Sequence, residues 1–367
     1  MMETATAAQR DIASYVLNFV IEKMMIDKLW SIQEPSAFTW WSHKLAQRVW
    51  AEPPRIDEGF SVFRIHAETA LLKEVPPTER TYGLLAMLNT AVTLNRYVYD
   101  PAHMRITLRC CAYFHTENAG WQAAYFTNAI AIQAAQAHAE LQHGSDLFGA
   151  PPDETTHPTG IRTHPDDMLN VLELYREEGQ EPSAFIGEEC ARIERMSPRP
   201  FVMANADESG ATVEFPFAGC MPPTTMLRIR TDVEHPKLGS GAFLLLKVPN
   251  TPSVVQDFGL VNRLNAAEMQ EWSRSRGFGA WCKDVESADP LKHIAYVCFL
   301  PSATKMDGLL ENEVYQMADR TRWLHIYLDL PETGRDDNSW RLRRWRLWKR
   351  FSKRSSCKPR ADHEEDR

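Results

Sequence analysis

The chain has 367 residues, a length that predicts two domains of roughly 150 residues each. Hydrophobic residues make up 44% of it and charged residues 25%, which is ordinary globular composition. No stretch approaches the roughly 18 uninterrupted apolar residues of a membrane-spanning helix, and the N-terminus lacks the basic region and apolar run of a secretory signal. We therefore expect a soluble cytoplasmic protein.

The predicted elements of the first half begin with a long amphipathic helix. In chain order they are a helix at 7–30, extended segments at 38–50, 60–65 and 69–75, a helix at 78–89, strands at 95–99 and 105–114, and a helix at 121–141. Thr78, directly after two prolines, has the hydroxyl of a typical N-cap. Apolar residues alternate along 105–114, as in a strand with one buried face. Residues 1–143 thus predict one α-β-β-β-α-β-β-α module.

The second half repeats this order after a segment rich in Gly, Pro and Thr. Residues 144–165 are predicted to be a linker, because they combine such residues with little apolar content. Residues 166–330 are predicted to form a second module, with an additional short helix at 166–175 at its start. Its elements are a helix at 183–196, strands at 212–217, 226–231 and 242–248, a helix carrying FGLVNRLN, strands at 279–285 and 293–300, and a helix at 306–327.

Three sequence pairs support duplication. LLAMLN ending at Asn89 matches LVNRLN ending at Asn265, LLKEV at 71–75 matches LLLKV at 244–248, and TLRCCAYF matches IAYVCFL. The shared order of elements carries more weight than these weak identities. The alternative is a single α+β domain whose elements happen to alternate in this way.

This order, with the paired helix ends Leu88-Asn89 and Leu264-Asn265, resembles the fold of class I type III secretion chaperones and of YbjN-like bacterial proteins. The resemblance implies an α+β protein whose two tandem modules form an intramolecular pseudo-dimer. It also implies a binding protein without catalytic residues. Secretion chaperones of this fold are single-module homodimers, whereas this chain would carry both modules covalently, with a linker and a tail from 331 to 367.

The seven cysteines are odd in number, form no CxxC pair and mostly lie in apolar runs. Buried free thiols in a reducing cytosol explain them better than a disulfide framework does. A nucleophilic Cys282 paired with His293 is conceivable, but a buried strand cysteine is the favoured interpretation.

Other catalytic and cofactor patterns are also weak. His138 and His143 are five residues apart, which is not the spacing that places two ligands on one helix face. The glycines at 238–243 lack the remaining residues of a phosphate-binding loop. We therefore assign no catalytic, cofactor-binding or metal-ligating residue.

An aromatic run, Phe38, Trp40 and Trp41, is a candidate lining for a peptide groove, since aromatic residues are favoured at recognition surfaces. The alternative is that these side chains lie in the core.

Charge is unevenly distributed along the chain. Residues 335–367 hold 12 Lys/Arg and 6 Asp/Glu, a net charge of +6. Because the whole chain has a net charge of −8, residues 1–334 carry −14. An acidic body makes nucleic acid an unlikely ligand for it. Residues 340–354 contain eight basic and no acidic residues and, as a helix, would be amphipathic. The candidate partner or membrane contacts there are Trp340, Arg343, Arg344, Trp345, Arg346, Trp348, Lys349, Arg350 and Phe351.

These features predict a non-catalytic protein that binds a protein or peptide, as a chaperone or adaptor. The first alternative is a membrane-peripheral regulator that attaches to an anionic surface through the basic tail. A disordered tail that neutralises the acidic body is an equally simple explanation of its charge. The second alternative is an enzyme whose site has no recognisable sequence pattern.

Overall fold

The computed structural model describes most of the chain. The described residues are 7–57, 60–178, 182–185, 188–195, 202–207, 209–215, 225–248, 258–270, 277–284, 286 and 294–328. Within them the protein is mixed α+β, with two antiparallel sheets and helices packed on them, and the predicted class is confirmed. No helix in this part of the chain has both the length and the apolar character needed to cross a membrane.

The first sheet is formed by the first half of the chain. Its strands are β1 (Ser31–Glu34), β2 (Ala37–Trp41), β3 (Ala46–Ala51), β4 (Arg55–Asp57), β5 (Phe60–Leu72), β6 (Arg96–Asp100) and β7 (Arg105–Phe114). They are arranged β1-β2-β3-β5-β7-β6, and β4 pairs with the beginning of β5. The helices of this half are α1 (Ala7–Lys23), α2 (Glu79–Leu88) and α3 (Ala119–Phe148). Helices α1 and α3 pack on the sheet and on each other.

The second sheet is formed by the second half. Its strands are β8 (Val202–Asp207), β9 (Gly210–Phe215), β10 (Thr225–Arg230), β11 (Glu234–His235), β12 (Gly239–Val248), β13 (Ala280–Lys283) and β14 (Ile294–Pro301). They are arranged β8-β9-β10-β12-β14-β13, and β11 pairs with β12. The accompanying helices are α4 (Val171–Glu178), α5 (Glu188–Arg195), α6 (Phe258–Gln270) and α7 (Leu309–Tyr327).

The two sheets have the same strand order and the same register. One row of the first sheet runs Ile32, Thr39, Arg48, Glu68, Arg109, Arg96 across its six main strands. The matching row of the second sheet runs Asn205, Thr212, Arg228, Leu245, Val297, Ala280. Rows on either side of these also correspond, apart from one-residue shifts between Ala70 and Leu72 of β5 and between Met203 and Asn205 of β8. Each of the six main strands therefore has a counterpart in the other half.

This register tests two of the three sequence pairs. It gives Cys110 of TLRCCAYF and Cys298 of IAYVCFL equivalent places on β7 and β14. It does not support the match of LLKEV with LLLKV, because the counterpart of Leu244 is Ala67 and not Leu71. Short runs of Leu and Val are common in buried strands, so they align by chance at several registers.

Several predicted strand boundaries are wrong. The predicted segment 38–50 is a hairpin of β2 and β3, and the segments beginning at 60 and 69 are one long strand, β5. Strands β1 and β8 were not predicted. Three of the four residues of β1 are exposed, so the strand shows no apolar alternation. Strand β5 is buried along most of its length although it carries Arg64, His66 and Glu68, and these polar residues read in the sequence as a break between two strands.

The segment after α3 is an ordered strap on the first half rather than an open linker. Helix α3 continues to Phe148, and Gly149 ends it in the left-handed conformation, with φ of 62°. The strap, residues 149–166, then runs along the ends of the first sheet's strands. Backbone N–H groups of Asp153 and Thr155 donate to Leu71 and Lys44, each at 2.9 Å. His157 of the strap is buried between Trp30 and Trp41.

The paired asparagines of α2 and α6 have the same structural role, although only Asn89 lies at a helix end, because α6 continues past Asn265 to Gln270. Asn89 accepts a hydrogen bond from Tyr97 N at 2.8 Å and donates to Tyr97 O at 3.0 Å. Asn265 does the same for Trp281, at 2.8 and 2.9 Å. Tyr97 and Trp281 lie on the edge strands β6 and β13. Each amide therefore completes the backbone hydrogen bonding of an edge strand that has no further strand beside it in the described fold.

We expect Asn89→Ala and Asn265→Ala each to lower the free energy of unfolding by about 1–3 kcal/mol, because each leaves a buried N–H and C=O unpaired. Urea unfolding followed by circular dichroism measures this. Thr90→Ala, which removes an exposed hydroxyl next to Asn89, is the control and should cost within about 0.5 kcal/mol. Equal effects for Asn89→Ala and Thr90→Ala would contradict the assigned role.

Candidate functional site

The inner edges of the two sheets meet through their helices. Helices α2 and α6 pack against each other, and each also contacts both edge strands, β6 and β13. Asn262 on α6 reaches across and bridges the backbone of Tyr99, accepting from its N–H at 2.8 Å and donating to its carbonyl at 3.2 Å. Two buried apolar clusters each contain residues from both halves. The inner edges are thus covered.

Equivalent residues form backbone contacts in both directions across this interface, with the donor and acceptor roles exchanged. Gly277 N donates to Cys111 O at 3.0 Å, and Phe299 N donates to Thr93 O at 3.4 Å. Gly277 lies four residues before Trp281, and Thr93 lies four residues before Tyr97, the two strand residues that the asparagine amides bridge. Cys111 and Phe299 occupy matching places on β7 and β14. A Cβ on Gly277 would lie 2.7 Å from Cys111 Sγ, so only glycine allows this close approach.

A buried charge cluster lies at the centre of the interface. Glu268 of α6 accepts from Arg96 of β6 at 2.9 Å and from Arg320 of α7 at 2.7 Å. All three side chains are at most 1% exposed. Trp281 also donates to Glu268, through its indole N–H, at 3.1 Å. The Arg320 guanidinium lies over the ring of Tyr296 at 3.7 Å. One carboxylate thus serves two guanidinium groups from different halves.

Arg64 of β5 forms a second polar contact between the halves. It donates to the carbonyl oxygen of Met269 at 2.8 Å and to the hydroxyl of Tyr113 at 2.6 Å. Its side chain is fully buried. The Glu268 cluster and the Arg64 contacts both join the two packed sheets.

The cysteines that the structure describes in detail, Cys110, Cys111, Cys282 and Cys298, are free and fully buried. Burial raises the pKa of the Cys110, Cys111 and Cys282 thiols, which keeps them protonated and poorly nucleophilic. The structure therefore gives Cys282 the environment of a core residue. His293, its conceivable partner, lies outside the described residues.

The predicted groove aromatics do not line a groove. Phe38 and Trp40 are 1% and 0% exposed and belong to the core. Trp41 is nearly buried beneath the strap, where its indole N–H donates to the Thr155 hydroxyl at 3.2 Å. The groove prediction is wrong for these residues, because β2 is an inner strand with both faces covered. All tail residues proposed as contacts, Trp340 to Phe351, lie outside the described part of the chain.

The outer edge of the first sheet offers a different surface. Met25, Leu29 and Ile32, which lead into and along β1, are 80%, 76% and 38% exposed, and we call them the outer-edge surface. Met25 has a φ of 49°, a left-handed conformation that is unfavourable for any residue with a Cβ. Strand β1 pairs with β2 alone among the described strands. No sequence signal marked this surface, since its apolar residues show no period.

No group of three or more His, Cys, Asp or Glu side chains suited to a metal ion occurs among the described residues. A polar depression of about 370 Å³ lies on the outer strands of the second sheet, and its walls include Asn205, Asp207, Thr212 and Arg228. It occupies the place that corresponds to Ile32, Glu34, Thr39 and Arg48 on the first sheet.

Comparison with family models, curated proteins and solved structures finds no match to this chain.

Glu268→Gln should lower the free energy of unfolding by about 3–5 kcal/mol, because it removes the negative charge that two buried guanidinium groups share. Burial acts to raise the pKa of Glu268, but Arg320 and Arg96 outweigh it, and the pKa lies below its ordinary value of 4.5. The carboxylate therefore stabilises the fold above that value, and its contribution is lost as pH falls.

Unfolding by urea at a series of pH values measures this. The difference between wild type and Glu268→Gln should be full at neutral pH and shrink once pH falls below about 4.5. Glu173→Gln, at an exposed position on α4, is the control and should show little difference at any pH. A difference that grows towards low pH would contradict the assigned charge state.

Proposed function

We propose that the chain consists of two tandem secretion-chaperone-like modules forming an intramolecular pseudo-dimer, which binds an extended protein segment without catalysis. The matched strand order and register of the sheets support the duplication. The reciprocal contacts Gly277–Cys111 and Thr93–Phe299 support a two-fold relation, since such contacts are typical of an isologous interface.

The observation that carries the binding proposal is the asymmetry between the sheet edges. The inner edges, β6 and β13, are covered by helices and bridged by amides, whereas β1 and β8 are the end strands on the outside. An end strand has backbone donors and acceptors that an extended segment can use to add a strand. The pseudo-dimer would therefore present two edges, one on each side.

The β1 edge has its hydrogen-bonding groups in a defined place. The two-residue turn at Pro35 and Ser36 closes on the pair of Glu34 and Ala37. Hydrogen-bonded pairs alternate along an antiparallel hairpin, so Ser31 and Gln33 direct their backbone groups away from β2. The neighbouring outer-edge surface supplies apolar contacts for alternate side chains of a bound segment.

The outer strands of both sheets also carry the same cross-strand pair, Thr39 with Arg48 and Thr212 with Arg228. Arg48 and Arg228 are largely exposed and pair with nearby carboxylates, Glu34 and Glu286. Core packing does not require an exposed pair. Its presence at matching places supports two related contact surfaces.

Peptides selected from a random phage-displayed library test the proposal, with binding measured by fluorescence anisotropy. Gln33→Pro removes a backbone N–H that points away from β2. We therefore expect it to raise the Kd of the peptide on the order of tenfold, which corresponds to about 1.4 kcal/mol of binding free energy. Gln33→Ala removes the same side chain, keeps the N–H and should bind like wild type.

Leu29→Ser should also weaken binding, through loss of apolar contact. Equal binding by Gln33→Pro and Gln33→Ala would contradict strand addition at β1. Failure to select any peptide would contradict the peptide-binding function.

A second candidate function is attachment to an anionic membrane surface by the tail, favoured by the eight basic residues and three tryptophans of 340–354. Basic residues contribute about 1 kcal/mol each near an anionic leaflet, and salt weakens this attraction. We expect sedimentation with phosphatidylserine vesicles that weakens with salt and is absent with phosphatidylcholine vesicles.

Deletion of 335–367 should abolish this sedimentation. Replacing Trp345, Trp348 and Phe351 by Ala should weaken it at unchanged charge, because apolar insertion adds to the attraction. If the full-length chain stays in the supernatant with anionic vesicles at low salt, the membrane function is wrong.

A further inference from the structure

The turn between β2 and β3 brings His43 next to His138 on α3. Their ring centroids are 5.4 Å apart and the ring planes are inclined by 65°. The two residues are 95 positions apart in the sequence, and only the packing of α3 on the first sheet joins them. Both side chains are half-buried, so the pair lies at the protein surface within reach of small solutes.

This separation suits two imidazoles that share one metal ion. Zinc binds imidazole nitrogen at about 2.0–2.1 Å with tetrahedral angles, which places the centres of two coordinating rings about 5 Å apart. The observed centroid separation of 5.4 Å is close to this value.

One ring nitrogen of this pair is not used in a hydrogen bond within the described fold. Nδ1 of His43 is buried and has no hydrogen-bond partner in the structure. A buried polar atom without a partner costs free energy and calls for an explanation, such as an ion that the atom could bind.

Two cationic side chains, Lys44 and Arg162, lie near the pair. The nearby cations are themselves paired, Lys44 with Glu154 at 3.0 Å and Arg162 with Asp166 at 3.0 Å.

We propose that His43 and His138 form a two-histidine site for a divalent transition-metal ion of the zinc class. The chain supplies two ligands, so the remaining coordination positions are open to water or to a carboxylate or imidazole of another molecule. Such a site links the β2–β3 turn to α3 and leaves the metal accessible. It would bind Zn²⁺, Ni²⁺ or Cu²⁺ but not Mg²⁺, which prefers oxygen ligands.

Calorimetric titration of the full chain with Zn²⁺ tests the proposal, and Mg²⁺ serves as the negative metal. We expect one Zn²⁺ per chain. His43→Gln and His138→Gln should each weaken binding on the order of a hundredfold, because the second ligand acts at high effective concentration. His143→Gln is the matched control, an exposed histidine on the same helix, and should bind like wild type.

A spectroscopic measurement keeps the test independent of how the variants fold. Electron paramagnetic resonance of the wild-type chain with one equivalent of Cu²⁺ should show coupling to two imidazole nitrogens. Coupling to one nitrogen, absence of Zn²⁺ binding, or equal weakening by His143→Gln would each overturn the site. Retained affinity in both His43→Gln and His138→Gln would overturn it as well.

Discussion

One buried carboxylate, Glu268, holds the two sheets in a defined arrangement. It lies between Arg96 of the first half and Arg320 of the second, with all three side chains out of solvent. Removing charges from water is costly, and the cost is recovered only where geometry brings opposite charges into direct contact. If the two halves packed in a different relative position, the two guanidinium groups would be buried away from Glu268. The cluster therefore excludes alternative arrangements more than it adds net stability.

The amide bridges follow from the same constraint applied to the backbone. A sheet edge that is buried without a neighbouring strand leaves unpaired N–H and C=O groups. Asn89, Asn265 and Asn262 pair three such residues along β6 and β13. Side chains thus do at the inner edges what a further strand would do. Among the described strands, β1 and β8 are the ends of the two sheets that no such amide bridges.

Much of the fold was predictable because its elements have strong local signals. The proline pair and Thr78 mark the start of α2, where Thr78 caps the helix by accepting from Thr81 N. Strand β7 has the predicted bounds, since its apolar residues alternate. The strap looked like a linker because its polar groups bond to strand ends far away in sequence, and local composition does not record such partners.

The sites were harder to predict than the elements. Arg96 follows Asn95 in a run that otherwise reads as a half-exposed strand, and nothing local shows that its partner is 172 residues away. The aromatic residues Phe38 and Trp40 suited a groove or the core equally well by residue type, and only tertiary packing places them in the core cluster with residues of α1 and α3. Side chains that meet only through tertiary packing, such as His43 and His138, have no characteristic sequence spacing from which their contact could be predicted.

The order of chain synthesis matters for two buried arginines, because residues that they contact are made much later. Arg64 and Arg96 belong to the first half, whereas their partners Met269 and Glu268 belong to α6. As the chain leaves the ribosome, the first sheet is complete well over a hundred residues before α6 is made. During that interval Arg96 has no Glu268 to pair with, whereas Arg64 already has Tyr113 and Glu52 beside it. A charged side chain on a sheet that is not yet covered opposes its association with other chains, so we expect Arg96 to limit aggregation before it fixes the interface.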